Sequence, residues 1–379
     1  MRHFVTFLLS IVLLAHVARA QPNVVALTAE TPITGFNRLT VSVTLCAPGG
    51  ARCATIDHIM VDTGSVGLRL QPGTVPPGLG LPLAREGDGR AMAECLHFTG
   101  NAAWGGLYRA DVRLGGMEAR DIPVQLVGDE LKRPESCPAG AHPTSNGTLG
   151  IGMRSTDCDG SCIQSATHPR YFVCTPSGCA AAAGSVPDSL RLPNPVRRFA
   201  SNSNGVVFDM PMPARRGVPS VRGRLIFGVG TSSDNTPGAA QPIRLGPDLR
   251  FRTLYGGVEH ADSYFDSGTQ YMIVPDPALP HCEDSRYAVC QSPTRRLGAT
   301  LIGADGARLD LPFLAGTYPA ASERGVFASA VQTAAPGHED LFVWGFPFFL
   351  GRRVYLVYRD ATVPGRPDLD GPLYAIASP

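Results

Sequence analysis

The chain is short of charge and almost empty of lysine: 17% of its 379 residues are Asp, Glu, Lys or Arg, the formal net charge is +1, and Lys132 is the only lysine. A balance this even provides no basic surface for nucleic acid or an anionic membrane. Long helical periodicities are missing, and beyond the N-terminus no apolar run approaches the roughly 20 residues that a membrane span needs. Gly-x-Ser-x-Gly, His-Glu-x-x-His and the Walker loop are absent, which removes the serine-hydrolase elbow, the zincin helix and the phosphate-binding loop. The nine His residues have no metal-like spacing, so no metal and no organic cofactor is implied. Glycine (43) and proline (34) are plentiful, and 44% of the chain is hydrophobic, enough for a large core cut by many turns. That combination reads as an all-β protein.

The first 20 residues stand apart. Arg2 and His3 precede an almost unbroken apolar run from Phe4 to Ala15, and Ala18-Arg19-Ala20 offers small residues for cleavage. Residues 1–20 are expected to be a removed signal peptide, with Gln21 as the mature start and a secreted or periplasmic destination. No Cys follows the cleavage site, so no lipid anchor is expected there, and no membrane anchor is expected in the mature chain. Ten Cys behind such a leader read as disulfides. Nearness suggests Cys46 with Cys53, Cys158 with Cys162, Cys174 with Cys179 and Cys282 with Cys290, leaving Cys95 with Cys137. His281-Cys282-Glu283-Asp284 with Cys290 is a competing metal reading, but it lacks the paired spacing of zinc sites.

One pattern occurs twice. Ile59-Met60-Val61-Asp62-Thr63-Gly64-Ser65 returns 204 positions later (266 minus 62) as Ser263-Tyr264-Phe265-Asp266-Ser267-Gly268-Thr269. Each copy is an apolar run, read as a buried strand, ending in a tight turn that carries one carboxylate. Chance alone supplies on the order of 0.2 such triplets in a chain of this length, so a repeated copy calls for a chemical reason. Two carboxylates brought together cannot both ionise, and the shared proton suits them to general acid–base hydrolysis through a water molecule. Thr63 and Ser267 can reach across to the opposite loop, Gly64 and Gly268 allow close backbone approach, and Ser65 and Thr269 can donate to the ionised form.

Asp62-Thr63-Gly64-Ser65 and Asp266-Ser267-Gly268-Thr269 resemble the two active-site loops of pepsin-like aspartic proteases. Thr148-Leu149-Gly150 and Val343-Trp344-Gly345 match the apolar-apolar-Gly strands that cross those loops, in the order that the family requires. Asn194-Pro195-Val196 with Phe199, Asn204-Gly205-Val206-Val207 and the stretch from Trp344 to Arg352 are similar to a group of secreted bacterial proteins related to pepsins and left largely as domains of unknown function. The resemblance implies a bilobal all-β fold with the cleft between lobes. It implies residues 21–203 as an N-terminal lobe carrying Asp62, and residues 204–379 as a C-terminal lobe carrying Asp266. It also implies a flap: the stretch from Glu94 to Gly116 reads as a hairpin with a loop from Thr99 to Gly106, and Phe98 or Trp104 takes the place of the family's flap Tyr. Arg69 stands where many relatives have Trp.

The function expected is a secreted aspartic endopeptidase that works at acidic pH on an extended peptide or protein substrate, as a monomer, with Asp62 and Asp266 catalytic. The rival reading is a proteolytically silent binding or cell-envelope protein on the same scaffold. Elsewhere, Asp157 to Gly160 reads as a turn. The stretch from Asp157 to Cys179 reads as a surface excursion, and the stretch from Pro195 to Ala200 as a short helix.

Overall fold

A computed structural model describes residues 21–98, 101–128, 130–138, 140, 143–158, 169–320 and 322–377. The leader expected over residues 1–20 lies outside the described residues. Strands dominate, and the helical pieces among the described residues are short 3-10 turns. One of them, Pro195–Arg198, is the short helix expected from Pro195, ending two residues before Ala200; the Asn194 side chain caps it by accepting from the Val196 N–H.

Two sheets carry the architecture. The larger has 15 strands and the other has seven. The strand Val24–Glu30 joins the two halves of the larger sheet: it pairs antiparallel with Arg38–Cys46 on one side and with Val221–Phe227 on the other. That sheet therefore runs without a break across the boundary drawn at residues 203 and 204. Gly205–Met210 continues it, pairing with Val221–Phe227 and with Arg352–Val357.

Each Asp-bearing strand is gripped in the same way. Cys53–Asp62 runs parallel to Gly147–Ile151, with Asp62 opposite Gly150. Val258–Asp266 runs parallel to Leu341–Gly345, with Asp266 opposite Gly345. Both glycines are obligatory at these crossings. A Cβ on Gly150 would lie 2.6 Å from the Val66 nitrogen, and one on Gly345 would lie 1.9 Å from the Tyr271 carbonyl oxygen. Val61 and Phe265, each just before its Asp, are buried. Burial of side chains this size stabilises by about 1.5–3 kcal/mol each, which fixes where the turns emerge. Phe265 sits among aromatic rings, with Tyr374 at 4.4 Å, Phe348 at 4.6 Å and Phe251 at 4.8 Å between centroids.

The flap region departs from expectation in two places. Ala91–Phe98 pairs with Asn101–Leu114, so the loop expected from Thr99 to Gly106 is mostly strand, and Phe98 lies opposite Asn101. The cause is the register that Cys95 and Trp104 share as cross-strand neighbours. Nor is the stretch leading to Cys179 simply an excursion. Tyr171–Thr175 pairs with Ala91–Phe98, and Tyr171 and Phe172 are fully buried. Two aromatic side chains with large apolar area seat that strand on the core.

Four disulfides agree with the pairing by nearness and its remainder: Cys46–Cys53, Cys95–Cys137, Cys174–Cys179 and Cys282–Cys290. The expected partner of Cys158, Cys162, lies outside the described residues. No helix among the described residues is long and apolar enough to cross a membrane. The disulfides fit an oxidising, extracellular or periplasmic setting. Cys95–Cys137 spans 42 residues and ties the flap strand to the segment behind it. Loop-closure entropy assigns it roughly 4 kcal/mol. A Cys95→Ser/Cys137→Ser variant is therefore expected to lose stability of that order in chemical denaturation; a loss under about 1 kcal/mol would contradict this assignment.

Candidate active site

The two Asp turns meet across the lobes, held by a reciprocal set of hydrogen bonds. The Thr63 hydroxyl accepts from the Ser267 N–H at 3.0 Å and donates to the Phe265 carbonyl at 3.2 Å. The Ser267 hydroxyl accepts from the Thr63 N–H at 3.1 Å and donates to the Val61 carbonyl at 2.8 Å. Each hydroxyl thus uses both donor and acceptor capacity inside a buried crossing, which leaves no polar group there unsatisfied.

The carboxyl groups are held just as symmetrically. Asp62 accepts from the Gly64 N–H at 2.8 Å and from the Ser65 hydroxyl at 2.5 Å. Asp266 accepts from the N–H groups of Gly268 at 2.8 Å and Thr269 at 3.3 Å, and from the Thr269 hydroxyl at 2.7 Å. The glycines explain how the carboxyls come together. A Cβ on Gly64 would sit 2.9 Å from the Asp266 carboxyl carbon, and one on Gly268 would sit 2.7 Å from Asp62 Oδ1. Each carboxyl lies over the other turn's glycine, and no larger residue fits. Burial, and then the neighbouring charge of Asp62, push the Asp266 carboxyl up, to about 7.

A cavity of about 310 Å³ opens over the pair. Phe98 lines it, along with both turns, Arg154, Arg250, Tyr264 and Tyr374. A further cavity of about 200 Å³ adjoins it, sharing Gly64, Ser65, Val66, Phe98 and Arg154. Of the two flap candidates, the structure brings Phe98 to the cavity but not Trp104. Trp104 is buried against Phe172, with ring centroids 5.2 Å apart, and its indole N–H donates to the Leu131 carbonyl at 2.9 Å. An indole with a large apolar body and one polar edge is satisfied at that position, so it does not reach the cleft.

Several residues at the site escaped the sequence reading. Tyr264 had a signal: it lies two positions before Asp266 in a strand and so shares its face. The Arg250 guanidinium sits 4.2 Å from the Tyr264 ring centroid. Arg38 donates to the Gly268 carbonyl at 3.3 Å from behind the second turn. The most extensive omission lies around Arg69. Its guanidinium makes two hydrogen bonds to Glu94 Oε2 (3.0 and 3.2 Å) and one to Oε1 (2.8 Å), and a fourth to the Val66 carbonyl at 2.7 Å. Asp157 lies 3.7 Å away and accepts from the Tyr171 hydroxyl at 2.5 Å. Asp157 is thus a buried member of a charged network, at a bend of the chain; Asp159 and Gly160 lie outside the described residues. Burial pushes the Glu94 carboxyl up, with Arg69 opposing and Asp157 adding to the rise. A lone Glu inside the apolar run Ala91-Met92-Ala93-Glu94-Cys95-Leu96 was the available signal, since a charge so placed requires a partner.

The alternative metal reading at Cys282 meets the disulfide to Cys290, while His281 lies 3.1 Å from the Thr333 hydroxyl. No group of three His, Cys, Asp or Glu among the described residues could hold a metal ion.

Two lobes of strand, a sheet that joins them and paired Asp turns crossing in the cleft define the pepsin-like class of fold. The fold is similar to that of the aspartic proteinase from Irpex lacteus, at a TM-score of 0.54 and 14% identity, covering 94% of this chain and 96% of that one. At that identity the likeness shows the scaffold alone. The chain belongs to the family described as Protein of unknown function (DUF3443), whose model matches residues 19–376. No curated protein matches the sequence.

The raised Asp266 carboxyl has a consequence for stability. Its folded value lies above its ordinary value of 3.8. The stability it contributes is therefore complete below about pH 4 and is lost as pH rises through the folded value near 7. Denaturation midpoints of the unaltered protein are expected to fall across that window, and Asp266→Asn is expected to flatten the fall. Parallel pH profiles for the two proteins would contradict the assignment.

Proposed function

We propose that the protein is a secreted or periplasmic aspartic endopeptidase in which Asp62 and Asp266 act as one acid–base pair on a water molecule. The observation that carries this reading is the reciprocal crossing of Thr63 and Ser267, which holds two carboxyl groups over each other's glycine at the floor of an open cavity.

The chemistry follows from sharing one proton. Asp266, whose value is raised, holds it and donates a hydrogen bond to the carbonyl oxygen of the scissile peptide. The pair's remaining negative charge draws a proton from the water, whose oxygen attacks the carbonyl carbon. The resulting gem-diol collapses as the amine nitrogen takes a proton and the C–N bond breaks, and the pair returns to its singly protonated state. Ser65 and Thr269, each donating to its own Asp, stabilise the charged form without altering the count of protons. The singly protonated window extends from acid toward neutral, because burial and mutual repulsion raise the upper step. An extended peptide substrate occupies the cleft with Phe98 packed over it. No cofactor enters the reaction, and the monomer is the working unit.

Cleavage of an unbiased peptide library by the oxidised mature protein, followed from pH 3 to 8, tests this. Activity on the acid side that falls as pH rises through the upper step is expected, with at least a roughly 10³-fold loss in Asp62→Asn and in Asp266→Asn and inhibition by a statine peptide. Residual cleavage at the original rate in either variant would sink the proposal, and a folded protein that cuts nothing would favour the silent binding scaffold.

A further inference from the structure

A larger cavity, of about 390 Å³, lies in the C-terminal half and shares no lining residue with the cavity over the Asp pair. Its wall is formed by the strand Arg308–Thr317, by the turn Phe346–Phe349 with the residues that follow it, and by the end of the strand Leu373–Ala377. Leu309, Leu311, Phe313, Leu350 and Ile376 give it an apolar interior. Met212, exposed to solvent, stands on its rim. The volume falls within the roughly 300–1,000 Å³ of small-molecule sites.

Two of the three charged residues that line this cavity are basic. Arg296 and Arg352 both line it. Arg352 is largely withdrawn from water: its terminal nitrogens donate to the Phe348 carbonyl at 2.7 Å and the Pro312 carbonyl at 2.5 Å, and its guanidinium lies 4.8 Å from the Phe348 ring centroid. Burial, and after it the repulsion of Arg296, hold the Arg352 guanidinium down, to about 10. Among the described residues neither arginine is paired with a carboxylate. Asp310, the acid on the lining, accepts from the Thr300 hydroxyl at 2.5 Å and pairs with neither. With Asp310 engaged by Thr300, the two guanidinium groups leave an excess of positive charge at the edge of an apolar cavity, which favours an anion there.

We propose that this cavity is a binding site for a single-chain amphipathic carboxylate of the fatty-acid type. The alkyl chain lies against Leu309, Leu311 and Ile376, and the carboxylate lies between Arg296 and the N–H groups of Arg352 that the two carbonyls leave unused. A guanidinium carries five N–H donors, so the carbonyl contacts do not exhaust Arg352. The site is separate from the Asp pair and does not depend on proteolysis.

The test uses the oxidised mature protein, stripped of lipid by reversed-phase resin and titrated calorimetrically and by thermal shift with dodecanoate, dodecanol and dodecylamine. One dodecanoate per chain is expected, with a rise in melting temperature, weaker binding of dodecanol and none of dodecylamine. Arg296→Ala, a change at an exposed side chain, is expected to weaken dodecanoate about tenfold while leaving the circular dichroism spectrum unchanged. Asp62→Asn is expected to bind with unaltered affinity. Failure of dodecanoate to bind, equal binding of dodecanol, unchanged affinity in Arg296→Ala, or loss of binding in Asp62→Asn would each overturn the proposal. The first three reject an anion-binding cavity, and the last moves the ligand to the cleft.

Discussion

Two hydroxyl groups hold the molecule's central arrangement together. Thr63 and Ser267 come from turns 204 residues apart, and each satisfies the other turn's backbone while reaching back to the carbonyl before the opposite Asp. Buried hydrogen bonds contribute modestly when made, about 0.5–1.5 kcal/mol each, but leaving one partner bare costs about 1–3 kcal/mol. The crossing is therefore nearly all or nothing. It sets the distance between the lobes, and that distance brings two carboxyl groups into an arrangement their charges oppose. The apolar strands behind them supply what repulsion removes: Val61 and Phe265 anchor the turns in the core, and Gly150 and Gly345 let the crossing strands close up behind.

The surroundings of the pair extend this logic to the flap side. Arg69 joins the backbone just after the first turn, at Val66, to Glu94 on the flap strand, with Asp157 and Tyr171 completing the network. Where an aromatic side chain would connect these elements by packing, a bidentate ion pair connects them by direction. Breaking one member of a buried pair of this kind costs about 3–5 kcal/mol, so the linkage is rigid although it contributes little net stability over an apolar equivalent. The Cys95–Cys137 bond fixes the same strand next to Glu94. The flap strand is thus tethered at its base, while Phe98 at its outer end remains partly exposed over the cavity.

How much of this could be read from the sequence depended on whether a feature was local. The Asp turns, their glycines and hydroxyls, and the later apolar-apolar-Gly strands are short patterns with a fixed order, and so the bilobal all-β fold was legible from them. The pairing of neighbouring Cys was legible because short loops close readily. Trp104 was not: its choice between cleft and core depends on Phe172 and Leu131, neither of which is near it in sequence. The network of Arg69, Glu94 and Asp157 draws on three separate segments, and only the oddity of a charge in an apolar strand pointed to it. The strand Tyr171–Thr175 lay behind a run of Cys, Gly and Ser that reads as loop, although its two buried aromatics decide its place.

Acid–base action at this site requires the two carboxyl groups to share one proton, and carbon-13 NMR of the Asp62 and Asp266 side chains, assigned through the single Asn variants, measures that directly. Two titration steps separated by several pH units, the upper near 7, are predicted for the pair. If both carboxyls titrate together within about one unit of the ordinary value near 4, they do not share a proton, and the acid–base reading of the site is wrong.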